Sequence, residues 1–284
     1  MPLSESPGRP IRVGVIGHGT IGADLVRRLL AGDDPSVRLA FVHTRRGTVA
    51  DGLDPSLILA DLRDAAARDP DLIVEAAHPD ITRTHGAWLL GIADYLPLST
   101  TALADDYVRA SLDEAARAAR TRLWLARGAL VGAEALTDWR DHWRRVTIRM
   151  EKPPAGIDFS ASGLDRAGVT DRTTVYDGPV RGIAPRFPRN VNAMVTLALA
   201  TIGLDRTRAV LIADPALATA RLLITVVGYD GSRLRIERRQ PLVGVSGTEM
   251  AASAWASLRV AAGRPDAALT SDTWHATSNA AARA

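Results

Sequence analysis

The sequence predicts an α/β protein, in which a Rossmann-type doubly wound parallel sheet is followed by a second α+β domain with a mostly antiparallel sheet. A glycine-rich motif directly follows an apolar run near the N-terminus. Short apolar runs then alternate with helix-like stretches up to residue 126, which is typical of a parallel sheet. Beyond residue 128 the strand-like runs contain only one helix-like stretch between them, which favours antiparallel pairing.

The elements of the first half are predicted from the spacing of apolar residues. Strands are predicted at 11–16, 37–42, 57–60, 72–77, 95–98 and 122–126, and helices at 23–30, 61–68, 82–92 and 105–120. This alternation predicts a dinucleotide-binding Rossmann domain over residues 1–127.

The second half has a different pattern. Strands are predicted at 146–150, 173–176, 209–212, 222–227 and 234–237, one helix at 191–202, a long loop at 156–171 and a closing helix at 250–260. We therefore predict an α+β domain over 128–247, a C-terminal helix at 248–262 that joins the first domain, and a flexible tail at 263–284.

The glycine motif Gly17-His18-Gly19-Thr20-Ile21-Gly22 predicts dinucleotide binding, because it stands between a predicted strand and a predicted helix. Gly17 permits the tight turn, Gly19 lets the backbone approach the pyrophosphate, and Gly22 allows the helix to pack closely on the strand. The helix N-terminus then faces the phosphates. We assign all six residues to the cofactor site.

The end of the second predicted strand carries no carboxylate to bind the ribose hydroxyls of NAD. The chain reads His43-Thr44-Arg45-Arg46-Gly47 there. A guanidinium suits a 2′-phosphate, so Thr44, Arg45 and Arg46 predict NADP as the preferred cofactor, with NAD possible. The alternative is that both arginines are solvated loop residues of an arginine-rich chain.

Composition excludes several classes of function. The 284 residues are 46% hydrophobic and 24% charged, with a net charge of +3, so we expect no nucleic-acid partner. The absence of cysteine excludes disulfides, and the six histidines lack ligand spacing, so no metal is predicted. Without a signal-like start or an apolar run near ~20 residues, the expected location is cytoplasmic, with no membrane partner.

Six short motifs occur in an order that resembles the L-aspartate dehydrogenase family. They are Val74-Glu75-Ala76-Ala77, Thr101-Ala102-Leu103-Ala104-Asp105, Gly128-Ala129-Leu130-Val131-Gly132, Lys152-Pro153-Pro154, Pro188-Arg189-Asn190-Val191-Asn192 and Ile212-Ala213-Asp214-Pro215. Each motif is weak alone, but the ordered set covers residues 11–260.

The resemblance implies a homodimeric enzyme that interconverts L-aspartate and iminoaspartate, or oxaloacetate plus ammonia, with NAD(P). Its active site would lie between the two domains and would bind a small anionic substrate, with 128–247 as the substrate and dimerisation domain. We assign Ala76, Ala77, His78, Thr100 and Thr101 to the cofactor, and we assign to the substrate Arg127, Gly128, Ala129, Asn190, Asn192 and Arg221.

Two departures from the family leave the substrate open. The family's catalytic histidine corresponds, in our sequence register, to Arg221, which stays protonated and cannot be a general base, although it can bind a carboxylate. Arg127 replaces a small hydroxyl residue. Besides an aspartate dehydrogenase, the sequence therefore allows an NADPH-dependent imine or ketone reductase of specialised metabolism, or a non-catalytic NADPH-binding sensor.

The predicted catalytic residues are Arg221, His78 and Asn192. His78 follows a strand end that would face the nicotinamide, and its alternative role is to cap the helix that begins at Pro79. Asn190 is predicted to cap a helix while Asn192 faces the cleft. Lys152, the only lysine of the chain, either contacts substrate or is exposed and solvated.

Overall fold

The computed structural model describes residues 9–45, 53–243, 246–247 and 249–263. Its first sheet has five parallel strands in the order β3-β2-β1-β4-β5. The strands are β1 (Ile11–Ile16), β2 (Val37–His43), β3 (Ile58–Leu59), β4 (Leu72–Glu75) and β5 (Asp94–Pro97). The order reverses at β1, so the carboxyl ends of β1 and β4 flank the crevice in which such sheets bind ligands.

Three helices pack on this sheet, namely α1 (Thr20–Ala31), α2 (Pro79–Leu90) and α3 (Asp106–Ala119). The amphipathic α1 buries Leu25, Val26 and Leu29 and ends at Gly32, whose φ of 70° is left-handed. The side chain of Asp105 accepts hydrogen bonds from the first-turn amides of α3 and fixes its start.

The second sheet has the order β10-β9-β6-β8-β7, in which only β6 and β8 are parallel among the four pairs. Its strands are β6 (Trp143–Lys152), β7 (Thr173–Pro179), β8 (Thr207–Ala213), β9 (Ala220–Gly228) and β10 (Arg233–Gln240). Around it lie α4 (Ala133–Asp138), α5 (Val180–Ile183), α6 (Asn192–Ala200) and the short strands β11 (Leu242–Val243) and β12 (Ser246–Gly247). The fold class predicted from sequence is confirmed.

The two faces of this second sheet differ. Side chains alternate along a strand, so Val146, Ile148 and Met150 of β6 point to one face, which we call the inner face. They are buried in one core with the apolar α6, whose seven residues from Met194 to Ala200 are all buried. The opposite, outer face carries half-buried residues such as Thr147 and Arg149.

The chain finally returns to the first sheet through α7 (Met250–Gly263), which packs on α1. Trp255 and Leu258 join the core that also contains Leu25 and Val26. The guanidinium of Arg28 lies 5.7 Å from the ring centroid of Trp255. The closing helix thus ties the end of the described chain to the glycine-rich half.

Two local predictions were wrong. The strand predicted at 122–126 is a single bridge between Leu123 and Tyr95, because the chain leaves the sheet edge towards Gly128. The predicted α-helix at 61–68 is a 3₁₀-helix, Leu62–Arg68, which begins at the Asp61 cap and stops where Asp69 turns left-handed at φ 46°. The predicted tail from 264 lies outside the described residues, among which no helix is long and apolar enough to span a bilayer.

Candidate active site

The glycine motif forms the turn between β1 and α1, and its three glycines are needed for three different reasons. Gly17 has a φ of 100°, and a Cβ there would lie 2.7 Å from the carbonyl oxygen of Ala76. A Cβ on Gly22 would overlap the carbonyl oxygen of Gly17. A Cβ on Gly19 would meet nothing within 4 Å, so this position is open to a ligand.

The loop fits a pyrophosphate. Gly19 is the N-cap of the twelve-residue α1 and supplies no capping side chain, so the first-turn amides and the positive end of the helix dipole are available to an anion. Gly19 and Thr20 are exposed, and His18 and Ile21 are half-buried. The residues predicted to hold the cofactor phosphates are therefore grouped at one helix terminus.

The end of β2 carries His43, whose Nδ1 lies 2.9 Å from the carbonyl oxygen of Leu59. Thr44 is half-buried and Arg45 is exposed where the strand ends, beside the glycine loop on the neighbouring strand β1. Arg46, also assigned to the cofactor, lies outside the described residues.

Glu75, at the carboxyl end of β4, organises the two loops that border the cofactor crevice. Its Oε1 accepts hydrogen bonds from the amides of Ala77 at 2.7 Å and His78 at 2.8 Å, and from the hydroxyl of Ser99 at 3.0 Å. Its Oε2 accepts from the amide of Ser99 at 3.2 Å. Complete burial raises the pKa of Glu75 to about 7, although these hydrogen bonds oppose the shift.

We expect Glu75 to make the stability of the protein depend on pH. Because its folded pKa of about 7 exceeds its ordinary value of 4.5, the unfolded chain loses this proton first as pH rises. The contribution of Glu75 to stability is therefore fully present below pH 4.5 and is lost as pH rises to about 7 and above, which amounts to roughly 3 kcal/mol from this group.

Glu75→Gln removes the titrating group and should flatten this dependence. Urea unfolding of both proteins at pH 5 and pH 8 measures the effect, as the difference between their pH-induced changes in unfolding free energy. Parallel pH dependence in the two proteins would show that Glu75 titrates normally.

The structure supports the capping role of His78. Its Nδ1 accepts a hydrogen bond from the amide of Asp80 at 3.3 Å as N-cap of α2, and it lies 3.1 Å from the Asp80 carboxylate. Ala76 and Ala77 stand in the same loop, above Gly17. His78 is not among the described residues that line the cavity on the inner face of the second sheet, and its catalytic role stays a prediction from sequence.

Asn192, the first residue of α6, joins the two halves of the protein. Its Oδ1 accepts a hydrogen bond from the amide of Thr101 at 3.1 Å, and its carbonyl oxygen accepts one from the Thr100 hydroxyl at 2.9 Å. The Thr101 hydroxyl donates to the carbonyl oxygen of Pro188 at 2.8 Å. The turn after β5 is thereby fixed against the helix that begins at the cleft.

A cavity lies beside Asn192 on the inner face of the second sheet. Its empty space is about 520 Å³, including the part open to solvent. The strands, α6 and the start of α7 all contribute to its lining, which consists of Gly128, Met150, Lys152, Arg189, Asn190, Asn192, Ala193, Ala220, Arg221, Leu222, Arg238, Gln240, Glu249 and Met250. All of these residues come from the second half of the sequence, and Asn192 connects them to the Thr100–Thr101 turn of the first half.

The cavity is rich in cations and contains polar atoms without partners. Lys152 is only 4% exposed, and burial lowers its pKa to about 8, while Glu249 opposes the shift. Arg238 pairs with Glu249 at 3.1 Å and donates to the carbonyl oxygen of Ala129. Among the described residues, Arg238 Nε, Gln240 Oε1 and Glu249 Oε2 are buried and have no hydrogen-bond partner. Such atoms suit a ligand with both acceptor and donor groups.

Comparison with known proteins identifies the family. The family model "Aspartate dehydrogenase, C-terminal" matches residues 137–260, and "Homoserine dehydrogenase, NAD binding domain" matches 17–126. A curated aspartate dehydrogenase domain-containing protein of Xenopus tropicalis is 37% identical over 270 residues, which are 89% of this chain and 95% of that protein. The L-aspartate dehydrogenase of Ruegeria pomeroyi is 37% identical over 81% of this chain and 84% of its own length. The chain belongs to the aspartate dehydrogenase family.

Solved structures show the same fold. Aspartate dehydrogenase from Thermotoga maritima has a TM-score of 0.65 at 22% identity, covering 87% of this chain and 93% of that chain. The diaminopimelate (DAP) dehydrogenase of C. glutamicum has a TM-score of 0.52 at 16% identity, with 93% and 92% covered. The family membership confirms the resemblance seen in the sequence and makes this protein an NAD(P)-dependent dehydrogenase that uses a nicotinamide cofactor.

Arg221 borders the cavity in this aspartate dehydrogenase family member, and its predicted role towards the substrate stays a prediction. Its Nε is buried and has no hydrogen-bond partner among the described residues. It pairs in register with Glu151, however, and its Nη1 lies 3.8 Å from the Glu151 carboxylate. Glu151 also binds Arg149 and Arg172, which lie together on the outer face of the sheet. Because side chains alternate along β9, the inner positions are Ala220 and Leu222, so Arg221 points away from Lys152.

The helix-capping role predicted for Asn190 was wrong, and the substrate role predicted for Arg127 stays a prediction. Asn190 is not the helix cap: α6 is preceded by Val191, and the Asn190 amide instead accepts from the amide of Asp158 at 2.8 Å and donates to the carbonyl oxygen of Gly156 at 2.9 Å. Arg127 lies 2.8 Å from Glu134 and is absent from the described cavity lining. Asn190 nevertheless lines the cavity, and the substrate-binding role predicted for it stays a prediction.

Gly128 and Ala129 carry the chain between the two halves. Both are left-handed, at φ 62° and 55°, and a Cβ on Gly128 would lie 3.2 Å from the Cα of Ala193. The Ala129 amide donates to the Ser253 hydroxyl at 2.8 Å. Gly128 thus lines the cavity, and the substrate role predicted for it stays a prediction. The hydrogen bond of the Ala129 amide instead holds this turn against α7.

Sequence reasoning missed Arg238, Gln240 and Glu249 as site residues. The only sequence signal for Arg238 and Gln240 is the period of two along β10, which places both residues on one face of the strand, opposite Arg239. Lys152 was left between substrate contact and exposure, and the structure shows it buried. Within the described ranges, no three His, Asp or Glu side chains are grouped as metal ligands.

Proposed function

We propose that this protein is an NADP-preferring dehydrogenase that acts on the CH–NH₂ or imine group of a small carboxylated substrate, with L-aspartate and iminoaspartate as the first candidates. The observation that carries the proposal is the inner-face cavity, where buried Lys152 and half-buried Arg238 stand with Asn192. Asn192 itself is bonded to the Thr100–Thr101 turn beside the cofactor crevice.

The charges of the cavity favour an amino acid. Lys152, Arg189 and Arg238 attract carboxylates, and an arginine offers them charge-assisted hydrogen bonds. The unpartnered oxygens of Gln240 and Glu249 can accept hydrogen bonds from an amine or imine nitrogen. A zwitterionic substrate with an additional carboxylate would use both kinds of group.

The cofactor would supply or accept the hydride at its nicotinamide ring. The contribution of this chain is to hold the substrate carbon near that ring and to exclude water. Gly17–Gly22 would hold the phosphates, Glu75 would fix the loop at the nicotinamide end, and Arg238 would orient a substrate carboxylate.

Arg45 supports the preference for NADP, since it stands exposed at the end of β2 where no carboxylate is present in residues 43–45. We expect Arg45→Ala to weaken NADPH binding about tenfold, roughly 1.4 kcal/mol, and to leave NADH binding nearly unchanged. Fluorescence titration of both cofactors measures the effect, with Arg38→Ala, an exposed arginine of the same strand, as the control. Equal weakening of both cofactors would contradict recognition of the 2′-phosphate.

The activity is tested by consumption of NADPH and NADH with oxaloacetate, in the presence and absence of ammonium. Ammonium-dependent consumption that is faster with NADPH supports the proposal. Consumption without ammonium indicates the alternative, a ketone reductase, and tight binding without turnover of any carbonyl or imine indicates a sensor.

The absence of a histidine from the described lining favours one variant of this function, reduction of a preformed imine. An iminium already carries its proton, so reduction needs no strong base. This variant predicts that the initial rate of imine reduction exceeds that of amine oxidation at neutral pH.

A homodimer is the proposed assembly. The outer face of the second sheet offers half-buried Val210 and Leu223 among charged residues, and a second copy could cover it. Light scattering at micromolar concentration tests the proposal: a mass of one chain throughout would contradict it.

A further inference from the structure

Lys152 is a buried amine on the wall of the proposed substrate cavity. It ends β6 on the inner face, two residues after Met150, and is 4% exposed. Its backbone carbonyl accepts a hydrogen bond from the amide of Asp214 at 2.9 Å, which fixes the strand end. No other lysine occurs in the sequence. A single amine has thus been removed from water at the place where an amino acid is expected to bind.

The groups around this amine leave it as the candidate for proton transfer. The charged side chains that share its cavity are Arg238 from β10, Glu249 from the start of α7, Arg189 from the loop before α6, and Arg221 at the border from β9. The arginines remain protonated. Glu249 already pairs with Arg238, and the described lining contains no histidine, since His18 and His78 lie on the loops of the parallel sheet.

We propose that Lys152 is the acid–base residue of this active site, in place of the imidazole found in the family. The inference rests on the proposed function. In the oxidative direction the neutral amine of Lys152 takes a proton from the substrate ammonium. The nitrogen lone pair then forms the C=N bond as hydride leaves the α-carbon for NADP⁺, which is reduced to NADPH, and the product is an iminium. In the reductive direction the Lys152 ammonium returns that proton to the amine that forms.

The electrostatics of the cavity suit this role. Burial lowers the pKa of Lys152 to about 8, and Glu249 acts in the opposite direction. Both protonation states are therefore populated between neutral and mildly basic pH, which is what a group that both donates and accepts a proton requires.

The first test needs no turnover. Protein produced with ¹³C,¹⁵N-labelled lysine carries the label at one residue, so the ¹³Cε resonance titrates a single group in the intact protein. We expect a midpoint near pH 8, and Glu249→Gln should lower it because it removes the favourable carboxylate. A midpoint near the ordinary 10.5 would overturn the inference.

The second test compares Lys152→Arg, which keeps the positive charge but cannot give up the proton, with Lys152→Met, which keeps the length. Both should lower kcat about 100-fold, leave NADPH affinity unchanged, and abolish the rise of oxidation rate towards pH 8. Lys152→Arg with wild-type kcat and pH profile would overturn the role of Lys152 and leave the proposed function intact. A wild-type protein that turns over no amine or imine would instead overturn the proposed function.

Discussion

Replacement of Arg238 by leucine is expected to lower kcat/KM for an anionic amino acid about 100-fold, roughly 2.7 kcal/mol, chiefly through KM. Arg238 stands on the inner face of β10, and its Nε is buried without a partner among the described residues. Burial also lowers its pKa from the usual value, which reflects the cost of removing a cation from water, and Glu249 opposes that shift. A substrate carboxylate would relieve that cost.

Arg221→Leu provides the matched control. It removes the same charge from the neighbouring strand, but the guanidinium of Arg221 turns to Glu151 on the outer face. We expect kcat/KM to change by less than about threefold, because the charge that is lost is directed at Glu151 and not at the substrate. Steady-state kinetics and thermal unfolding of both variants separate binding from folding. A large loss of kcat/KM in Arg221→Leu and a small loss in Arg238→Leu would instead support Arg221 as the residue that binds the substrate carboxylate.

Gly19→Ala should weaken binding of either nicotinamide cofactor by at least about tenfold, without loss of stability. Its φ of −81° and ψ of −167° are acceptable for alanine, and the new Cβ would meet no protein atom within 4 Å. The added methyl group would instead occupy the side of the loop that the pyrophosphate must approach. Isothermal titration with NADPH measures the loss.

Gly168→Ala is the control for this substitution. Gly168 is exposed, and a Cβ there would also meet nothing within 4 Å, but it lies in the loop before β7, away from the glycine motif. Both variants should unfold at the wild-type temperature. Wild-type affinity in Gly19→Ala would mean that the cofactor does not cross this loop.

The parallel half could be predicted from sequence because its signals are local. The run 11–16, the three glycines and the amphipathic helix after them each restrict the backbone independently, and the structure brings them together as expected. The missing carboxylate after β2 is likewise visible in the sequence. The Asn192 contact with Thr101, across 91 positions of chain, could not be derived from any local pattern.

The cavity could be predicted only in part, because it depends on strand register. A shift of one residue moves a side chain to the other face of the sheet. Arg221 was therefore assigned to the substrate, whereas the inner positions beside it are Ala220 and Leu222. Arg238 and Glu249 reach the cavity through pairing of β9 with β10 and through the return of α7, which are both long-range features.

The most direct test of the account is to supply NADPH deuterated at nicotinamide C4, in separate samples of each stereoisomer, with oxaloacetate and ammonium, and to analyse the products by mass spectrometry. The account predicts aspartate with one deuterium on the α-carbon, from one of the two stereoisomers only. Deuterated malate in place of aspartate, or no deuterated product from either sample, would contradict it.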